Sequence, residues 1–379
     1  IISSCRTSDF HSFIKINKSY LISVFEVPDL NDYEISQIAK SYPTISKMVS
    51  LTTYKELLKN PLYINIIVSQ IKDIDVIGNE NQLREYIWEN VICLKNKAKK
   101  IGLKHNEITL VVESIVFDRA RNFLLGSTEK LYDSNIIEIL ISENILIRNG
   151  NTVRLKYDVF EDITFEQYFD SEFAECKGDY LSFFDSISKI GRCVFRRYQI
   201  WISNKLLIKE NRDKFIYEIV FSNETPENWR KQTNIGLIKS RYSHNFFDEY
   251  KDILDSSGLL SDFIKTTNLY GFEIDSDSFK KYINLLELNP IGQGRPSLIK
   301  IVYEKKLYEK EEKCKSSIIK LCSDFSKVKE KDIQIESFAC RILEYYVDDY
   351  LKVFNAKHVY GLQDEIITLL KPIYDMVES

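Results

Sequence analysis

A chain of 379 residues exceeds one ordinary hydrophobic core, so two or three packed units are expected. Glycine and proline are scarce, at 12 and 7 residues, while 44% of the chain is apolar and 28% charged; this composition excludes disorder and favours helices. A formal net charge of −4 argues against indiscriminate nucleic-acid binding, leaving room for a local basic face at most.

The first residues, Ile1-Ile2-Ser3-Ser4-Cys5-Arg6, have the pattern of a buried strand end that delivers an arginine into a loop. A second extended piece, 21–27, ends at Pro28-Asp29. From Leu30 the period turns helical, with Ile35, Ile38 and Ala39 on one face and a restart at Pro43. Residues 51–58 form another short helix. Asn60-Pro61 breaks it and starts the next, whose apolar face carries Leu62, Ile66 and Ile67. This is the pattern of a compact four-helix cluster ending near Gly78.

A long helix is expected over 81–100, with Leu83, Ile87, Val91 and Leu94 buried and a lysine-rich end suited to its dipole. Another follows over 108–124. Residues 133–170 then read as helix, tight hairpin and helix. Ile136, Ile137, Leu140 and Ile141 recur at helical spacing, and 145–148 and 153–157 alternate as strands. Asn149-Gly150-Asn151 supplies a turn that tolerates positive φ. Asp158 is expected to cap a helix carrying Val159, Ile163 and Phe165. A helix leading into a small β wing is the core of a winged-helix domain.

Beyond 170 the pattern stays helical, over 180–190, 194–208, 214–221, 229–239, 246–254, 259–266 and 279–288. Residues 289–296, with two prolines and two glycines, mark a loop. Helices resume over 297–308, 311–325, 331–354 and 362–376. The fold class expected is mainly α: a helical domain and a winged helix with a small β-hairpin, followed by an α-solenoid-like helical array. No fixed repeat period is legible, so no named repeat family is implied.

Catalytic motifs are absent. Gly292-Gln293-Gly294-Arg295 has the glycines of a phosphate loop but lacks its lysine and follows no strand, so a plain turn is expected. His11, His105, His244 and His358 lack metal-type spacing, and no GxSxG elbow occurs. Seven scattered cysteines form no CxxC pair, which points to reduced thiols in a cytoplasmic protein with no resident metal. Cys193 lies among Arg192, Arg196 and Arg197, which could lower its pKa, but a structural cysteine on a basic helix is the expected reading. The stretch 192–205 mixes those arginines with Phe195, Tyr198 and Trp201; buried aromatics with solvent- or acid-facing arginines are favoured over a nucleic-acid track. No apolar run approaches the roughly 20 residues that cross a bilayer. The chain starts at Ile1 without a signal-peptide pattern, so a piece of a longer protein is expected.

Three of these stretches, in this order, resemble the second half of a STAND-type NTPase, the NACHT/AP-ATPase group of signalling switches. The run Ile1 to Arg6 resembles the family's sensor-1 strand end. Leu58-Lys59-Asn60-Pro61-Leu62-Tyr63-Ile64 is similar to the proline-containing motif of its helical domain. The run from Val153 to Asp162 looks like the end of its winged helix, where a wing strand enters His-Asp and an acidic, aromatic helix. Tyr157 stands where the family has that histidine, and tyrosine donates one hydrogen bond but carries no positive charge near neutral pH. The P-loop and Walker B strands would precede residue 1, so the chain alone is not expected to hydrolyse a nucleotide.

The resemblance implies an organisation: 1–29 as the end of an NTPase core, 30–78 as the helical domain, 79–170 as the winged helix and 171–379 as a C-terminal helical sensor. It implies Arg6, Pro61 and Tyr157 as nucleotide-sensing residues, with ATP or ADP and Mg²⁺ bound in the complete parent protein. The implied partners are a foreign, phage-derived protein on the helical tail and further copies of the parent in the active oligomer. Two rival readings stand beside it. One is a winged-helix nucleic-acid binder attached to an AAA-type ATPase, disfavoured because Asp133, Glu138 and Glu143 make the groove-entering helix acidic. The other is a helical protein-interaction scaffold with no nucleotide role.

Overall fold

The computed structural model describes residues 29–377 apart from 52–53, 72–78, 123–125, 209–211, 275–287, 291–293, 311, 329–331 and 358–361. The strand end at 1–6 with Arg6, the extended piece at 21–27, and the helix expected over 279–288 up to its last residue lie outside the described residues. The protein is mainly α, with two small antiparallel sheets among the described residues. It divides into two compact units, Phe25–Arg197 and a second containing Tyr198–Ser379.

The first unit begins with α1 (Asp32–Ser41), whose start is a reciprocal capping box. The Asn31 side chain accepts from the Glu34 amide at 2.9 Å, and Glu34 accepts in return from the Asn31 amide at 2.9 Å. Pro43 opens α2 (Pro43–Val49), and a single turn α3 (Lys55–Leu58) leads to α4 (Pro61–Gln70). Asn60 caps α4 by accepting from the Leu62 amide at 2.9 Å, and Pro61 takes the first helical position, where its missing N–H costs nothing. Ile45, Met48, Leu57, Leu58, Ile66 and Ile67 bury together, while Leu62 stays half-buried.

The helix expected over 81–100 is interrupted. It runs as α5 (Glu80–Tyr86) and widens into a π-helix (Ile87–Ile92) closed by the Cys93 amide on the Trp88 carbonyl at 2.8 Å. Leu94 then turns left-handed at φ 52° with its side chain buried. The lysines that follow lie on a separate short turn, α6 (Lys95–Ala98), where Lys95 and Lys97 pair with Glu89 and Glu143. Leu83, Ile87, Val91 and Leu94 are nonetheless buried as expected.

After α7 (His105–Asn122) comes the helix–hairpin–helix: α8 (Ser134–Ser142), β2 (Leu146–Asn149), β3 (Thr152–Leu155) and α9 (Asp158–Glu175). Asp133 caps α8 through the Ile136 amide at 3.0 Å. The hairpin pairs Leu146 with Leu155 and Asn149 with Thr152, leaving a two-residue turn in which Gly150 has φ +61°. A strand not expected from the sequence, β1 (Ser127–Thr128), pairs with β3 and completes the order β1-β3-β2. Asp158 is not the cap of α9. Tyr157 occupies that position with extended backbone, and Asp158 is the first helical residue, where its charge complements the positive end of the helix dipole.

The division between units falls inside α11 (Phe195–Lys205), which follows α10 (Tyr180–Ser188) and precedes the single turn α12 (Arg212–Phe215). In the second unit, Tyr198 packs edge-on against Trp229 of α13 (Glu227–Lys239) with ring centroids 4.8 Å apart. Trp201 buries against Tyr198 and Phe215, and the Tyr198 hydroxyl meets Thr233 Oγ1 at 2.8 Å. Gly236 permits this close approach, because a Cβ there would stand 2.8 Å from the Gln199 carbonyl oxygen. Then come α14 (Ser243–Ser256), α15 (Leu259–Tyr270), α16 (Gly294–Glu304), α18 (Lys315–Phe325), α19 (Ile333–Lys357) and α20 (Leu362–Val377), with a single turn, α17 (Leu307–Lys310), after α16. Helices pack on near neighbours in sequence: α14 on α16, α15 on α18, α19 on α20.

Within the loop expected over 289–296, the described residues are strand and helix, and 291–293 lie outside them. Leu288–Pro290 pairs with Phe272–Ile274, and Gly294, Arg295 and Pro296 form the first turn of α16. The breaker residues serve the helix start: proline fits a first turn, and a Cβ on Gly294 would meet the Phe247 ring at 3.0 Å. Arg295, fully buried, donates to the carbonyls of Leu321 and Thr267, both at 3.3 Å, so its guanidinium is engaged inside the fold.

Candidate functional site

In the first unit, a cavity of about 220 Å³ opens between α4 and the wing. On one side stand Asn65, Ile66 and Ser69, one and two turns beyond Pro61, with Val91 from the π-helix. On the other stand Tyr157 and Phe160 at the start of α9, with Lys156 just before them. Glu143, Asn144 and Ile145, the link from α8 into β2, form the remaining wall.

Local rules explain each wall. The Asn60 cap and Pro61 fix where α4 starts, and hence the phase of its Asn65 face. Asn144 ends α8 in the left-handed region at φ 61°, a conformation asparagine tolerates better than most residues. The Lys156 amide donates to the Ile145 carbonyl at 2.8 Å, which extends the hairpin by one pair and brings Tyr157 to the rim. The Tyr157 ring meets Phe160 edge-on with centroids 5.3 Å apart.

Of the three residues singled out in the sequence, Arg6 lies outside the described residues. Pro61 is exposed and does not line the cavity; it starts the helix that does. Tyr157 lines it directly. The cavity residues that sequence reasoning passed over are Asn65, Ser69, Asn144 and Lys156. An asparagine just past a helix end was a legible left-handed signal at Asn144; the others converge only through tertiary packing.

The charges around the cavity are unequal in engagement. The Lys156 ammonium lies 3.3 Å from Asn144 Oδ1 and 5.3 Å from the Tyr157 ring centroid. The Glu143 carboxylate is held by Lys97. Arg148 of the wing is tied up: it grips Glu129 at 2.6 Å and Glu138 at 2.5 Å.

Behind the cavity, Glu161 of α9 is 6% exposed and is paired with Arg119 of α7 and with Arg197, the latter at 3.5 Å. Arg197 also stacks over the Phe165 ring at 4.7 Å. The basic-aromatic stretch 192–205 therefore buries Tyr198 and Trp201 and turns Arg197 to acidic neighbours. Cys193 is not activated: burial raises its pKa more than Arg197 lowers it.

His244 Nδ1 lies 2.6 Å from Ser297 Oγ, and its Nε2 lies 3.6 Å from Asp248. Ser297 has no exposed surface, so no substrate reaches that hydroxyl and the trio is a packing feature. Among the described residues no group of three His, Cys, Asp or Glu side chains is placed to hold a metal ion. No helix among them is long and apolar enough to cross a membrane. No family model matches the chain, and neither does any curated protein.

Proposed function

We propose that this chain is the regulatory and sensor part of a nucleotide-dependent signalling switch of the STAND type. The observation that carries the reading is the meeting, at one cavity, of the helix started by Asn60-Pro61 and the wing end at Tyr157. These two motifs stand far apart in the sequence, and each resembles a nucleotide-facing element of that family. The helix, three-stranded wing and following helix are in the order the reading requires.

In this scheme ATP or ADP with Mg²⁺ binds the NTPase core of the parent protein, and Tyr157 contributes a hydrogen bond at the phosphate end. The helical tail takes up a foreign protein, with defence against phage as the setting. Capture releases the wing from the core, and the freed parent assembles into an oligomer that activates an upstream effector. The chain itself supplies recognition and control, and no chemical step.

The test is a thermal-shift titration of the parent chain, with the residues preceding Ile1 restored, against ADP and Mg²⁺. A saturable stabilisation that weakens in Tyr157→Ala supports the reading. No response to ADP or ATP overturns it in favour of a scaffold without a nucleotide role.

A further inference from the structure

Among the described residues lining the cavity there is one cation, Lys156, and one carboxylate, Glu143. Their partners differ in kind. The Lys156 ammonium rests on a neutral amide oxygen, Asn144 Oδ1 at 3.3 Å, and near the Tyr157 ring. Neither neighbour cancels its charge. The Glu143 carboxylate is instead engaged by Lys97, which is not a lining residue and reaches it from the α6 turn. Lys97 thus neutralises the cavity's acid from outside and leaves the Lys156 charge in excess within.

The neutral residues suit an anion as well. Asn65 and Tyr157 line the same space, and both side chains carry a group that can donate. The Ser69 hydroxyl is already committed to the Asn65 carbonyl at 2.6 Å. At about 220 Å³ the space is smaller than the roughly 300–1,000 Å³ that encloses a drug-sized ligand, and so takes a phosphate group rather than a nucleoside.

We propose that this cavity is a phosphate-class anion site whose charge is set jointly by Lys156 inside it and by Lys97 acting through Glu143. The inference rests on the reading of the cavity as the nucleotide-facing one for the source of the phosphate. Lys156 touches the anion. Lys97 is a positioning residue: without it, the Glu143 carboxylate stands unpaired beside the bound anion and repels it. The left-handed Leu94, which sends α6 back toward Glu143, is the backbone feature that makes this arrangement.

The experiment is titration of the chain 1–379 with inorganic pyrophosphate, followed by thermal shift, with chloride at matched ionic strength as the control for bulk ionic effects. Wild type responds saturably to pyrophosphate, and Lys156→Met weakens that response by about tenfold or more, the worth of a charge-assisted contact. Lys97→Met weakens it too, and Lys97→Met/Glu143→Gln regains it, an outcome that a merely structural role for Lys97 does not produce. Unchanged circular dichroism in each variant separates binding from folding. No saturable response in wild type, an unaffected Lys156→Met, or a double variant as weak as Lys97→Met overturns the inference. ADP binding by the parent chain without a pyrophosphate response here would leave the switch reading standing and remove this site.

Discussion

Arg197 reaches the Glu161 carboxylate at 3.5 Å, from the first turn of α11 to the first turn of α9. Arg119 engages the same carboxylate from α7, so one buried acid joins three helices. Removing it leaves two guanidiniums facing each other in a poorly solvated place. Glu161→Ala is therefore expected to destabilise the first unit by about 3–5 kcal/mol, the cost of stranding buried charge. Urea denaturation of Glu161→Ala and Glu161→Ala/Arg119→Met measures this, and the double variant is expected to recover part of the loss.

Tyr157 gives a different signature because its ring and its hydroxyl have separable roles. Tyr157→Phe keeps the edge-on contact with Phe160 and is expected to leave stability unchanged. Tyr157→Ala loses that contact, worth about 0.5–1.5 kcal/mol beyond the buried area, and lowers the midpoint of urea unfolding.

The wing and its neighbours were legible in the sequence because their signals are local. Gly150 between alternating apolar residues announces a tight turn, and Asn60-Pro61 announces a helix start. Leu94 carries no such signal. Leucine prefers right-handed helix, and it turns left-handed here because its buried side chain and the π-turn closed by Cys93 hold it so. At 289–296 the cause is the opposite: glycine and proline ordinarily break helices, but Gly294 and Pro296 open one whose Arg295 is buried under carbonyls from α15 and α18. The cavity itself has no sequence signature, since Asn65, Asn144 and Lys156 share nothing but their meeting in space.

Glu113 of α7 carries a pH dependence. Burial pushes its carboxyl from 4.5 up to about 7, and the charge of Glu172 adds to the shift. The folded chain keeps a proton that the unfolded chain releases, so this stabilisation is full in acid and is lost as pH rises toward 7. Glu113→Gln is neutral throughout. It is expected to raise Tm by about 5–10 °C in mildly alkaline buffer and to leave it unchanged well below the ordinary carboxylate range. Calorimetric scans of both proteins across pH read the difference.

Gly236 tests the packing of α11 on α13. A methyl group there would stand 2.8 Å from the Gln199 carbonyl oxygen and 3.0 Å from Ile202 Cγ2. The nearer atom is backbone and cannot rotate away. Gly236→Ala is expected to cost about 1–3 kcal/mol by overpacking, against a gain in helix propensity of about 1 kcal/mol, and denaturant unfolding gives the balance.

Hydrogen exchange on the parent chain, with and without ADP and Mg²⁺, tests the nucleotide switch most directly. Slower exchange confined to the two walls of the cavity, residues 61–70 and 143–160, is the result expected if nucleotide is sensed there. ADP binding that leaves both segments unchanged, or no binding at all, contradicts it.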